Sequence, residues 1–485
     1  MEQAAYVNKL RLKFPGQDTL LFKDLTLSFK KGEKVLFLGP SGCGKSTLLQ
    51  VLAGLIPKAI DLPMKVEEQK VPGRWGYVFQ DPDAQFCMPY VDEELAFVLE
   101  NLQIPREEMD LQISEILSKV GLHLKDPHVE INTLSGGMKQ RLAIAAALLL
   151  QPEVLFLDEP TALIDPKGTE EIWETIKQVS IGKTVLIVEH KIDHVLDFVD
   201  RIILFGENGE ILADGPKNMI FHQYKAVIQN HGIWYPTVWE DYKKKKRIDA
   251  VTHPKEEVVR FRNFFGIRKK EVKVSVEEEA ICRGDWLVIT GENGAGKSTL
   301  LQAMTKLIPS KGLCEIEGVS IEKIKNLFQE IAFVFQNPEF QFVSDSVYEE
   351  LAFGLRLNKE DEQTIEQKVE EFLRLFHLKG LEHLHPYQLS MGQKRRLSVA
   401  ASIMNQQKLL LLDEPTFGQD ARNTFALLEL LEQLRQKGTT IVMVTHDEEI
   451  VEHFATKRWV IENGQLVQVE ALTRPQSLHV QEGWA

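Results

Sequence analysis

The chain has 485 residues, 44% of them hydrophobic, and a formal net charge of −14. That length leaves room for two to four domains with full cores, and the acidic balance disfavours nucleic acid as main partner, because binding it requires a surface that neutralises phosphates. Four scattered cysteines, Cys43, Cys87, Cys282 and Cys314, have no CxxC spacing, which argues against a zinc site, an iron–sulfur cluster or a disulfide framework.

The N-terminal stretch lacks a basic region followed by an apolar core, so the expectation is a cytosolic chain. The first strand-like run, Lys34–Leu38, leads into Gly39-Pro40-Ser41-Gly42-Cys43-Gly44-Lys45-Ser46-Thr47, and a helical start, Thr47-Leu-Leu-Gln50, follows. This fits the GxxxxGK[ST] loop, whose backbone N–H groups close around phosphate oxygens while Lys reaches the β/γ-phosphates and the hydroxyl binds Mg²⁺. Cys43 sits inside that loop near a helix start, where a thiol can titrate low. Alkylation there is expected to block nucleotide.

Further on comes Gln80-Asp81-Pro82-Asp83-Ala84-Gln85-Phe86, with Glu93-Glu94-Leu95-Ala96-Phe97 behind it. Leu134-Ser135-Gly136-Gly137-Met138-Lys139-Gln140-Arg141 then opens a helix rich in Ala and Leu; a Ser cap followed by Gly leaves N–H groups and a positive dipole end that suit an anion. That helix carries the longest apolar run, Leu142 to Leu150, too short to cross a bilayer.

The next strand, Val154-Leu-Phe-Leu157, ends in Asp158-Glu159-Pro160, which places two carboxylates at the end of a strand where α/β sheets bind ligands. Adjacent strand residues point to opposite sides, so the two acids should do different jobs. Asp158 is assigned to the Mg²⁺ shell with Ser46, and Glu159 to polarising the attacking water. His190 closes another apolar run, and Asn208-Gly209 between Ile202–Phe205 and Ile211-Leu212 is a hairpin signal.

Lys243–Arg247 and His253-Pro254 interrupt the apolar periodicity and mark a linker, 239–257, between a first domain, 1–238, and a second, 258–485. The second domain repeats the first. A run Asp285-Trp-Leu-Val-Ile-Thr290 leads into Gly291-Glu292-Asn293-Gly294-Ala295-Gly296-Lys297-Ser298-Thr299; Gln336-Asn337-Pro338-Glu339-Phe340-Gln341-Phe342, Glu349-Glu350-Leu351-Ala352-Phe353, Leu389-Ser390-Met391-Gly392-Gln393-Lys394-Arg395-Arg396, Asp413-Glu414-Pro415, His446 and Asn463-Gly464 follow in the same order. Lys45 to Lys297 spans 252 residues, Asp158 to Asp413 spans 255, and His190 to His446 spans 256. So small a drift means a domain duplication and not a solenoid.

With these motifs the sequence resembles the ATP-binding cassette family, whose signature is LSGGQ, from about Val7 to Val469. The fold this implies is α/β: two tandem P-loop NTPase domains, each with a RecA-like parallel-sheet core, an antiparallel β portion and a helical signature subdomain. The resemblance makes Gln80 and Gln336 the glutamines that sense Mg²⁺ and water, His190 and His446 the histidines that contact the γ-phosphate, and Glu159 and Glu414 the bases. Asp413, Ser298 and Gln336 join Asp158, Ser46 and Gln80 as Mg²⁺ residues. Phe14 and Phe265 resemble the aromatic that stacks on adenine, Phe264 being an equal choice. The family closes two cassettes head to tail, which would pair Lys45 with Ser390, Gly392 and Gln393, and Lys297 with Ser135, Gly136 and Gly137. Both signatures depart from the family pattern, at Met138 and Met391; a side chain at the latter would crowd the γ-phosphate or restrict the backbone.

The repeated Q-[DN]-P-[DE]-x-Q-F segment resembles the ATPases of energy-coupling factor importers. In that family it forms a groove for a transmembrane coupling protein, which acts with a substrate-capture membrane protein. The expected location is the cytoplasmic face of the membrane, and the expected cargo a vitamin or micronutrient, with thiamine or its hydroxymethylpyrimidine precursor one choice. Sugar or cobalt importers with two fused cassettes stay open. So does, from a different class, the double-cassette translation factor that acts on ribosomes.

Overall fold

The computed structural model describes residues 2–16, 19–40, 42–162, 164–245, 256–405, 407–416 and 418–472. Two compact units divide the chain near residue 236, with Asp420–Arg422 grouped with the first.

In the first unit, the ladder order is Ile211–Pro216, Arg201–Phe205, Lys34–Leu38, Thr184–Val188, Val154–Asp158, Trp75–Val78. All its pairings are parallel except that of the first two strands. Strands covered on both faces must be apolar throughout, and Val154–Asp158 and Thr184–Val188 are buried at every position. A separate antiparallel sheet pairs Gln3–Leu12 with Phe22–Lys30. Its second strand alternates, with Leu25, Leu27 and Phe29 inward and polar residues between them outward, the period of a half-buried strand.

The second unit has the same order, again parallel except for its first pair: Gln465–Ala471, Lys457–Glu462, Trp286–Thr290, Thr440–Val444, Leu409–Asp413, Ile331–Val334. Here the antiparallel strands join the same ten-stranded sheet. Both hairpin expectations hold: Phe205 pairs with Ile211 and Ile461 with Leu466. Asn463 and Gly464 both take positive φ, 48° and 80°, the tight turn that Asn-Gly favours.

Part of the expected linker is ordered. Residues Val238–Lys245 form a helix, with Tyr242 stacked on Phe425 at 4.2 Å and Trp239 edge-on to the same ring at 4.9 Å. The rest of the charge run, and His253-Pro254, lie outside the described residues.

Candidate functional site

The two phosphate loops start at the carboxyl ends of strands Lys34–Leu38 and Trp286–Thr290 and run into helices Lys45–Leu52 and Lys297–Met304. Gly44 and Gly296 cap those helices with φ of 96° and 107°. A Cβ at Gly44 would lie 2.9 Å from Leu21 Cδ2, and one at Gly296 2.7 Å from the Lys273 carbonyl. Only glycine meets both demands. Each lysine is buried at the centre of its loop: Lys45 Nζ donates to the carbonyls of Gly39 and Pro40 at 2.8 and 2.7 Å, and Lys297 Nζ to those of Gly291 and Glu292 at 2.7 and 2.9 Å. Gly42 and Gly294, also left-handed, have open space where a side chain would be. Thr47 and Thr299 stand in the first helical turns, Asn293 and Ala295 inside the second loop, and Ser41 lies outside the described residues.

Cys43 departs from expectation. It is buried, and burial pushes its thiol up despite the Lys45 ammonium 3.7 Å away. The helix-start argument loses because the sulfur has left water.

Ser46 Oγ donates to Asp158 Oδ1 at 2.7 Å, and Ser298 Oγ to Asp413 Oδ1 at 2.9 Å. Burial pushes Asp158 up to about 6, with Glu159 adding repulsion, and raises Asp413 also. A hydroxyl and a desolvated carboxylate beside a phosphate loop fit a hard divalent cation, which takes oxygen ligands and would relieve that penalty. Tyr77 also donates to Asp158, at 3.0 Å. Its counterpart is Phe333, so the second aspartate has no such phenol.

Asp158 and Asp413 are the last strand residues, and the chain then leaves the strand through Glu159 and Glu414 with φ of 47° and 50°. The acids diverge as expected, but through a left-handed residue and not through strand alternation. Glu159 meets His190 Nε2 at 3.1 Å and Gln80 Nε2 at 2.8 Å. Burial works against its charge, yet His190 and Lys45 outweigh that and hold the carboxyl below its ordinary value. Glu414 meets His446 Nε2 at 3.4 Å.

Half-buried Gln85 and exposed Asp83 both bind the signature helix, a use the sequence did not reveal. Asp81 and Asn337 cap a short 3-10 turn. Lys139 Nζ then grips both Asp83 oxygens at 2.7 and 2.8 Å, and Lys394 Nζ holds Glu339 at 2.5 Å. Gln85 donates to the Ala143 carbonyl at 3.2 Å and Gln341 to that of Ser398 at 2.8 Å. In both halves the Q-[DN]-P-[DE]-x-Q-F segment is thus clamped to the signature helix. Buried Glu94 takes the amides of Cys87 and Met88, both at 2.8 Å, and Glu350 those of Val343 and Ser344 at 3.0 and 2.9 Å. Equal spacing in both halves was the available signal. Phe86 and Phe342 stay half-buried, while Phe340, Val343, Phe353 and Leu357 are exposed.

Ser135 and Ser390 cap the helices Gly136–Leu149 and Met391–Ile403. Gln393 answers Ser390 with a second hydrogen bond, completing a capping box that Met138 denies the first half. Gly136, Gly137, Met391 and Gly392 are in ordinary helical turns and not at positive φ. A non-glycine residue at 391 therefore meets no backbone penalty.

Phe264 is buried against Phe261 at 5.5 Å, which commits it to the core; Phe265 and Phe14 are half-buried. A further buried acid, Glu189, hydrogen-bonds Thr161 and stands where the second half has Thr445.

The sequence model of the family described as "ABC transporter" matches residues 22–162 and 278–417. A Bacillus subtilis (strain 168) protein named "Putative HMP/thiamine import ATP-binding protein YkoD" is 38% identical over 489 residues, covering 93% of this chain and 88% of its own. A "Putative ABC transporter ATP-binding protein" of Sulfurisphaera tokodaii is 34% identical over 488 residues, covering 96% and 97%. The chain belongs to the ABC transporter ATPase family, and it carries two such cassettes. It is an ATP-binding ATPase. A solved structure of the archaeal ribosome recycling factor aABCE1, with the stalk protein aP1, matches with a TM-score of 0.63 over 92% of this chain and 88% of that one, at 22% identity. That likeness shows the shared fold alone. Among the described residues, no helix is long and apolar enough to cross a membrane.

Proposed function

We propose that this chain is the energy-coupling subunit of a membrane importer, with thiamine or a hydroxymethylpyrimidine precursor as the cargo class. It works at the cytoplasmic face with a transmembrane coupling protein and a substrate-capture membrane protein. Cassettes 1–238 and 258–485, joined by 239–257, bind two ATP molecules head to tail. Lys45 and Lys297 hold phosphate, Ser46, Asp158, Ser298 and Asp413 hold Mg²⁺, Glu159 and Glu414 act as bases, and His190, His446, Gln80 and Gln336 align water and γ-phosphate. Phe14 and Phe265 stack on adenine.

One observation carries the importer reading. Beside the Gln336 segment, Phe340 is 76% and Val343 67% exposed, apolar side chains next to a loop clamped rigidly from below. Such a patch suits an apolar helix end of a partner. The name of the Bacillus subtilis relative supports the cargo class.

The test is affinity purification from detergent-solubilised membranes, alongside uptake of labelled thiamine and hydroxymethylpyrimidine. Wild type should retain a multispanning partner, and Phe340→Asp with Val343→Asp should lose it while still binding ATP. Recovery with ribosomes and no membrane protein would overturn the reading.

A further inference from the structure

Arg395 and Gln140 hold equivalent positions, 255 residues apart, one turn into the two signature helices. Both side chains are buried, at 4% and 2% exposure. They do different things there. Arg395 donates from Nη1 to the Phe335 carbonyl at 2.7 Å and from Nη2 to the carbonyl of Gln336 itself. Gln140 leaves its Nε2 buried with no hydrogen-bond partner among the described residues.

The glutamines Gln80 and Gln336 are also held differently. In the first half, Gln80 reaches Glu159 at 2.8 Å. In the second, the main chain of Gln336 is held by a guanidinium that also feels Asp413 and Glu414. Burial brings Arg395 down to about 10, and those two carboxylates oppose that fall. It remains charged at neutral pH. A planar fork with two donors fixed on successive carbonyls restricts a peptide more than a single contact does.

We infer that Arg395 is a positioning residue of the second cassette: it fixes the backbone at Phe335-Gln336, and thereby where the Gln336 side chain stands toward Asp413, Glu414 and a bound Mg²⁺. The first cassette lacks this brace, so the two nucleotide sites differ by construction. The inference rests on reading residues 291–299 with Asp413, Glu414 and Gln336 as an ATP site.

Amide hydrogen exchange of the whole chain, followed by peptide, tests it together with nucleotide binding and turnover. Arg395→Gln copies the first half, and Arg395→Lys keeps charge and a donor. The expected result for Arg395→Gln is faster exchange, by about tenfold, confined to peptides spanning 333–341, with exchange at 291–299 unchanged. The Mg²⁺ concentration for half-maximal turnover should rise about fivefold, and nucleotide affinity measured in EDTA should stay within twofold of wild type. Arg395→Lys should recover at least half of each shift. Faster exchange throughout the helix Met391–Ile403 with no rescue by lysine would make Arg395 a packing residue and overturn the inference. So would wild-type exchange at 333–341. Lys297→Ala, with nucleotide stoichiometry measured, separates the brace from the site it serves: if two nucleotides per chain still bind, the site reading itself fails, whereas a fall to one with wild-type behaviour of Arg395→Gln defeats the brace alone.

Discussion

Glu159 Oε1 lies 3.1 Å from His190 Nε2, and the glutamate reaches that place through a left-handed backbone with φ of 47°. Glu414 and His446 repeat the arrangement at 3.4 Å and 50°. A non-glycine residue in this region costs about 1–3 kcal/mol. Both halves hold it where an acid must turn out of a strand toward a histidine.

The reach of that acid is therefore predicted to matter as much as its charge. Glu159→Asp keeps the carboxylate but shortens it by one methylene, and a misplacement of that size costs about a hundredfold in well-aligned sites. Single-turnover hydrolysis in a Glu414→Gln background should fall at least tenfold, with ATP affinity unchanged. Full activity would detach the Glu159–His190 contact from catalysis.

In the metal-free protein Asp158 should contribute a loss of stability as pH rises from about 4 through 6, because its folded value is raised to about 6 from 3.8. The folded state holds a proton that the unfolded chain has released across that window, so the sign is negative with rising pH. Two units correspond to about 3 kcal/mol. Asp158→Asn should flatten this slope in urea melts in EDTA, and be the more stable protein at pH 7. Parallel pH curves for the two would contradict the burial argument.

Alkylation should begin at Cys87, which is exposed, and not at buried Cys43. Mass spectrometry after brief iodoacetamide treatment should find Cys87 modified and turnover largely retained. Rapid modification of Cys43, with ATP protecting, would restore the view of a reactive loop thiol.

Glu350 is predicted to be structural. Replacing it with Ala strands the amides of Val343 and Ser344, at a cost of about 2 kcal/mol or more. Glu350→Gln keeps an acceptor and should recover most of the loss in denaturant melts. Equal stability of the Ala variant and wild type would remove this role.

The duplication, both phosphate loops, the acid strands and the hairpins were legible because glycine, proline and strand-end carboxylates occur at fixed spacings with one physical use each. The clamp was not. Asp83, Gln85 and Glu94 read as surface groove residues, since polar side chains here carry no mark of which partner they take. Lys139, the partner of Asp83, and Lys394, the partner of Glu339, are more than fifty residues from them in sequence. The roles of Tyr77, Glu189 and Arg395 were illegible for another reason: each is present in one half only, with Phe333, Thr445 and Gln140 at the equivalent places, so no repeat marks it. Cys43 shows the reverse error, where a local rule about helix starts gave way to burial.

In the function proposed above, Glu159 and Glu414 act as the bases of two ATP sites. Measuring ATP affinity and steady-state hydrolysis on the Glu159→Gln, Glu414→Gln double variant tests it most directly. Loss of a general base lowers rate by about 10²–10⁴, so turnover should fall at least a hundredfold while ATP still binds within a few-fold of wild type. Hydrolysis at the wild-type rate with normal binding would show that neither glutamate is the base.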